Sequence, residues 1–329
     1  MTTTAADRSD GAAPATVEGI VLEAGRGVYT VQAPGGALVA CKLRGNLKKS
    51  LTYADSEHRS RSVERVRKLR ETDPVAVGDR VDFALGETIG EGVIVRVHPR
   101  RATLSRQSGN ERERQTLVAN LEQAVIVFAA AEPRIDPYKL DRFLVLAEDA
   151  ELDILIVINK SDLEQAEVLD AMADEYRRIG YPVIAASVRT GAGIAALRAV
   201  LHGRVSALCG PSGVGKSSLL NAVEPGLSLR TGATGDTTHA GRHTTVRARL
   251  LSLAGGGWVA DTPGLRQVTF WDIPAEDVAF SFPEMAPLMG RCRFPDCRHR
   301  QEPGCAVRDA VESGAISERR YESYRQMTG

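Results

Sequence analysis

The sequence predicts three successive modules: a small all-β barrel, a parallel α/β domain, and an α-rich segment folded around a metal ion. Residues 17–98 carry five short alternating runs punctuated by Gly and Pro. From about 118 to 270, continuous apolar runs alternate with stretches at helical spacing. Near the end, Cys292, Cys297, His299 and Cys305 lie close together in the chain.

In the first module, "VEGIVLEA", "GVYTVQA" and "LVACKL" are separated by glycine-rich turns, and "VAVGDRVDF" and "EGVIVRVH" follow. Alternation buries one face of each strand, and five such strands are the pattern of an OB-fold barrel, expected over 17–105. The preceding "MTTTAADRSDGAAPAT" (1–16) has no basic end followed by an apolar stretch. It reads as a flexible arm and not as an export signal. An insertion at 44–73 interrupts the barrel. Between Lys42 and Arg70 there are ten Lys and Arg against only Asp55, Glu57 and Glu64. Such a loop suits a nucleic-acid backbone, or is simply a solvated, mobile loop.

Globally there is no such pull. Lys+Arg and Asp+Glu are both 42, so net charge is zero and any attraction to nucleic acid must be local. No run of about 18 apolar residues occurs, so no membrane-spanning helix is expected. A cytoplasmic monomer with no membrane partner is the expectation.

The second module is expected over 106–270. "AVIVFAA", "DILIVI", "PVIAA" and "RVSALC" are unbroken apolar runs, as strands buried on both faces require. Helical patterns follow them at "PYKLDRFLVLAEDA", 163–179, 192–200 and "SSLLNAV", and "VRARLLSL" and "WVAD" close the series. Strand–helix alternation is the signature of a parallel sheet.

Gly210-Pro211-Ser212-Gly213-Val214-Gly215-Lys216-Ser217 fits the phosphate-loop pattern and stands between an apolar strand and a helix start that continues with Ser218. The glycines let backbone N–H groups close around phosphate oxygens, and the helix N-terminus adds its dipole. Lys216 would reach the β/γ oxygens, and Ser217 would hold Mg²⁺. Asp261 ends the strand "WVAD" and is followed by Thr262-Pro263-Gly264. A carboxylate there serves the Mg²⁺ shell, and the Gly264 N–H meets a γ-phosphate. Between the two lies "RTGATGDTTHAGRHTTV" (230–246), a Gly- and Thr-rich switch candidate with Thr244 or Thr245 as a further Mg²⁺ ligand.

Upstream of all this, "LIVINKSDL" carries Asn159-Lys160-Ser161-Asp162. A carboxylate accepts from guanine N1–H and its exocyclic amine together, and adenine lacks that donor pair, so Asp162 would exclude ATP. The next strand ends in Ser187-Val188-Arg189, where a base-packing loop belongs. The full set of a guanine-nucleotide domain is therefore present, but the base reader precedes the phosphate loop. A closed set of βα units tolerates new termini where the old ones were close. The order points to a circularly permuted P-loop GTPase domain.

In the last module, 271–329, Cys292-x4-Cys297-x-His299-x5-Cys305 offers three thiols and an imidazole. Four such ligands with no open position suit one tetrahedral, structural Zn²⁺. The low apolar content suggests that the metal supplies most of the folding energy.

With "NKSD", "GPSGVGKSS", "GRHTT", "DTPG" and "CRFPDCRHRQEPGCAV" in this order, the chain resembles the RsgA (YjeQ) family of small-ribosomal-subunit biogenesis GTPases over nearly its whole length. The resemblance implies a cytoplasmic GTPase that binds the maturing 30S subunit late in assembly, contacts its rRNA and is strongly stimulated by it; release after hydrolysis is the further expectation. Where the family commonly shows a third Thr after "GRHTT", this chain has Val246. Leu265 stands where Ras-type enzymes orient water with Gln. His243 is the candidate for that task, consistent with the resemblance, and His239 is the runner-up. A P-loop ATPase or kinase and a non-catalytic RNA-binding protein are the rival readings.

Overall fold

Strand β1 (Thr16–Gly25) is 10 residues long, and its length ties two modules into one sheet. It pairs antiparallel with β2 (Val28–Gln32) and β4 (Arg80–Leu85), and Glu23 stands opposite Arg249 of β12 (Arg249–Ser252). A bulge between Val21 and Glu23 re-aims the side chains. Val21 enters the barrel core, and Leu22 enters the core of the α/β domain. With β3 (Leu38–Leu43) and β5 (Glu91–Val97), the order β1-β2-β3-β5-β4 closes on itself through β1–β4, giving the expected five-stranded barrel. Its core holds Val31, Val39, Cys41, Val81, Phe83 and Ile94. The computed structural model describes residues 15–25, 27–45, 74–107, 114–227, 229, 249–261 and 273–329. Most of the arm at 1–16 and of the basic insertion at 44–73 therefore lies outside the described residues.

A separate two-stranded sheet, β6 (Thr103–Gln107) with β7 (Arg114–Ala119), follows the barrel. It straddles the junction expected at 105/106 and was not legible, because its polar sequence has no clean alternation. A bidentate pair on the buried Asp79 fixes the start of this connection. Arg100 donates through Nε and Nη2 to the two oxygens of Asp79 at 2.8 and 2.9 Å, and the Ala76 N–H donates to the same carboxylate at 2.7 Å.

The α/β sheet continues as β10 (Val183–Ala185), β9 (Asp153–Asn159), β8 (Gln123–Ala129), β11 (Val205–Cys209) and β13 (Trp258–Asp261), all parallel in that order. Strand β12 departs from the expected parallel series. It lies antiparallel to β13, because the connection over 253–257 is too short for a crossover. Every residue of β8 is buried. Alternate side chains feed opposite faces: Ile126 and Phe128 pack with α1 (Pro137–Asp149) and α2 (Ala166–Ile179). Val125 and Val127 pack with α3 (Ile194–Leu201) and α4 (Lys216–Val223).

The C-terminal segment has more of a core than its composition suggested. Phe282, Met285, Val307 and Tyr324 pack with Val145 from the outer face of α1. Helices α5 (Ala306–Glu312) and α6 (Glu318–Met327) complete it. Where α6 meets α1, Arg320 is wholly buried, donating to Asp141 at 2.7 Å and to Glu284 at 2.7 Å, with its guanidinium 4.4 Å from the Phe282 ring centroid. Arg319 beside it reaches Asp141, Glu175 and the Tyr176 hydroxyl. Arg320→Met is expected to lower global stability by about 3 kcal/mol in urea unfolding, since Glu284 loses its partner and buried Asp141 loses one of two. The loss sits at the low end of that range because Arg319 still serves Asp141.

Candidate nucleotide site and metal centre

The permuted order has a simple spatial resolution. Four expected nucleotide-site residues mark the carboxyl ends of parallel strands: Asn159 on β9, Ser187 after β10, Gly210 after β11 and Asp261 on β13. With β8 between β9 and β11, base reader and phosphate loop become neighbours at one sheet edge, where α/β ligand sites lie. Chain order does not enter.

One side chain joins the two loops. Asn159 is 2% exposed, and its Nδ2 donates to the Val214 carbonyl at 2.7 Å, across a separation of 55 residues. Its Oδ1 has no partner among the described residues. Gly215, at φ +91°, leaves room for that contact, since a Cβ there would sit 2.4 Å from Asn159 Nδ2. Gly210, at φ +136°, lets the loop's entry lie on β8, where a Cβ would come within 2.1 Å of the Val127 carbonyl. Both glycines are thus required by close approach as well as by φ.

The phosphate loop leads into α4, with Ser217 and Ser218 half-buried in its first turn. Lys216 Nζ donates to the Gly210 and Pro211 carbonyls at 2.6 Å each, so the ammonium lies across the loop. Val214 is buried, while Ser212 and Gly213 are exposed at the loop's outer side. On the base side, Lys160 adopts the left-handed region at φ 56°, and its Nζ meets the Glu132 carbonyl. The Ser161 N–H donates to the Ala186 carbonyl at 3.0 Å, tying this loop to the end of β10. Asp162 accepts from the Ser187 hydroxyl and, at 2.6 Å, from Arg189 Nε. Those two hydrogen bonds, Ser187 first, hold its carboxyl below the usual carboxylate range. At neutral pH it is an anion ready to accept from a donor pair.

For Asp261 only the backbone is described, paired with Arg249 on β12. Thr244, Thr245, His243 and Gly264 lie outside the described residues, as do His239 and Leu265. Of the expected Mg²⁺ ligands, Ser217 alone has a described side chain.

The four C-terminal ligand atoms lie within 4.8 Å of one another. Cys292 Sγ and Cys305 Sγ each stand 3.4 Å from His299 Nδ1 and 4.0 Å from each other. Tetrahedral zinc with Zn–S near 2.3 Å and Zn–N near 2.0 Å would set about 3.5 Å and about 3.8 Å for these separations. The donor set and its spacing fit that ion. The loop that carries the ligands is also tied to α6: the Tyr321 and Tyr324 hydroxyls donate to the His299 and Arg298 carbonyls at 2.6 and 3.0 Å. Against an opposing burial effect, the backbone N–H groups of Arg298, Arg300 and Gln301 hold Glu302 down to about 2.

Comparison with known proteins places this geometry. The family model for the RsgA GTPase matches residues 97–271. The chain belongs to the RsgA GTPase family. The small ribosomal subunit biogenesis GTPase RsgA of Gemmatimonas aurantiaca is 47% identical over 308 residues, covering 93% of this chain and 94% of that protein. The protein of the same name from Moorella thermoacetica is 44% identical, covering 94% and 95%. Among solved structures, YjeQ from Thermotoga maritima superposes with a TM-score of 0.74 at 35% identity, covering 95% of this chain and 98% of that one. YloQ, described as a circularly permuted GTPase, gives 0.69 at 30% identity, covering 95% and 94%. The permuted order read from "NKSD" and "GPSGVGKSS" is thus the order of this RsgA-type fold.

Sequence reasoning missed three contacts around the RsgA-type site: Asn159 with Val214, Lys160 with Glu132, and Arg189 with Asp162. The first two end on backbone carbonyls, which no residue pattern announces. Arg189 was visible only as part of the Ser187-Val188-Arg189 base-packing loop.

Proposed function

We propose that the chain is a GTPase that binds and hydrolyses GTP on the small (30S) ribosomal subunit late in its maturation and leaves after hydrolysis. The observation that carries this reading is the Asn159–Val214 hydrogen bond, which unites a guanine-reading loop with a phosphate loop in one site. The printed names of its relatives supply the ribosomal context. Asp162 accepts from the guanine edge, and Asn159 holds the base loop against the phosphate loop. The backbone of Gly210–Ser218 cradles the phosphates, and Lys216 turns from its carbonyl partners to the β/γ oxygens. Ser217, Asp261 and Thr244 or Thr245 would hold Mg²⁺, which when bound would supply positive charge beside the phosphates. Gly264 donates its N–H to the γ-phosphate, and His243 positions the attacking water. Zn²⁺ is structural. The barrel with its basic insertion contacts rRNA, and the protein works as a cytoplasmic monomer.

Purified 30S subunits test this directly. The protein should co-sediment with them under a non-hydrolysable GTP analogue and dissociate under GDP, and the subunits should accelerate GTP turnover. His243→Ala should lose that acceleration while keeping GTP affinity. Equal co-sedimentation in both nucleotide states, with no stimulated turnover, would refute the reading.

A further inference from the structure

Asp162 has a partner of its own in this chain. Its side chain is 10% exposed, whereas the side chain of Arg189 is 70% exposed and can leave at little cost. The reach of Arg189 is nonetheless fixed by its loop. Ser187 N–H donates to the Ala192 carbonyl at 3.0 Å, Gly191 N–H donates to the Ser187 carbonyl at 2.9 Å, and Thr190 N–H donates to Ser187 Oγ at 3.2 Å. This closed turn sets the guanidinium opposite Oδ2, while the buried Ser187 hydroxyl takes Oδ1. A carboxylate has about four acceptor positions, so Ser187 can remain when a base arrives. The in-plane N–H donors of guanine need the Oδ2 position that Arg189 fills.

We infer that Arg189 is a specificity-determining residue that occupies Asp162 as an internal substitute for guanine and must be displaced before a nucleotide base can dock. This inference rests on the guanine-site reading above. A planar guanidinium presents N–H donors to a carboxylate much as the guanine edge does. Arg189 thus competes with an incoming base for the anion, and adenine, with no equivalent donor set, gains nothing by displacing it. Lys160 does not share this role, because its ammonium is turned to the Glu132 carbonyl. The effect on binding follows from the fraction of molecules in which Oδ2 is unpaired. An ion pair with one exposed partner is closed about half to four-fifths of the time. Apparent association of guanine nucleotides is therefore slowed about two- to five-fold. Salt screens the pair, so the slowing shrinks as ionic strength rises.

The test is stopped-flow binding of fluorescent mant-GDP to the full-length protein, wild type against Arg189→Met, which keeps the stem and removes the donors. The variant should associate about two- to five-fold faster at low salt, dissociate at the wild-type rate, and converge on wild type at about 0.5 M salt. Arg189→Lys, with a point charge and no planar fork, should fall between them. Equal association rates at low salt would overturn the inference. Faster dissociation of the Met variant would overturn it too, since Arg189 would then be a contact of the bound base. Wild-type protein that fails to bind mant-GDP at all would refute the guanine-site reading beneath it, an outcome distinct from either.

Discussion

Removing the metal from the Cys292–Cys305 cluster should unfold the C-terminal segment and leave the α/β sheet folded. Structural zinc contributes about 10–16 kcal/mol in small metal-dependent units. A single apolar core in a segment of this size rarely contributes more than about 3–5 kcal/mol. The core around Phe282, Met285 and Tyr324 is real, yet at that size it does not hold alone the irregular ligand loop, with His299 at φ 57°. Without a cation, burial pushes the Cys297 thiol up to about 12, so that thiol is protonated at neutral pH. Zinc binds the thiolate and releases that proton, and falling pH therefore favours the metal-free form. Hydrogen exchange read by mass spectrometry should show protection lost across 278–327 after chelation or in Cys305→Ala. Protection over β8 and β9 should persist. Unchanged exchange in the C-terminal segment of the metal-free protein would contradict a structural role.

Asp162→Asn should weaken GTP and GDP binding about 10²–10⁴-fold, because two hydrogen bonds to a charged acceptor, each worth about 1.5–3 kcal/mol, are lost or reversed. The carboxamide keeps one acceptor and turns a donor toward the base. Xanthine carries a carbonyl where guanine carries its exocyclic amine, so XTP should bind the variant better than GTP does. Displacement of mant-GDP and mant-XDP measures both. The variant also loses the charge that attracts Arg189, so its turn at Ser187–Ala192 should remain while the Arg189 side chain is released. A variant that retains wild-type GTP affinity would remove Asp162 from the site.

Much of this was legible because it is local. "AVIVFAA" and "DILIVI" are strands buried on both faces, and unbroken apolar runs have few other uses. The glycines of "GPSGVGKSS" encode backbone geometry directly, as Gly210 and Gly215 show. The spacing of Cys292, Cys297, His299 and Cys305 brought four ligands together as expected. What escaped is long-range. Arg320 with Asp141 spans 179 residues, and nothing near either residue announces the other. Strand β1 belongs to two cores at once, through a bulge that its alternation conceals. The C-terminal core was underestimated because Val145, from another module, completes it.

The α1 junction also joins the sheet to the C-terminal segment. The inner face of α1 packs on the sheet that carries Asn159, and its outer face receives Phe282, Arg319 and Arg320. Asp261 ends the last described strand before the C-terminal segment.

The most direct measurement is displacement of mant-GDP from the wild-type protein by unlabelled nucleotides. GTP and GDP should displace it stoichiometrically near their binding constants, and ATP should fail even at about a thousand-fold excess, given a carboxylate that only a guanine-type donor pair satisfies. Displacement by ATP at concentrations comparable to GTP would show that Asn159–Asp162 does not read the base, and the permuted guanine site would have to be abandoned.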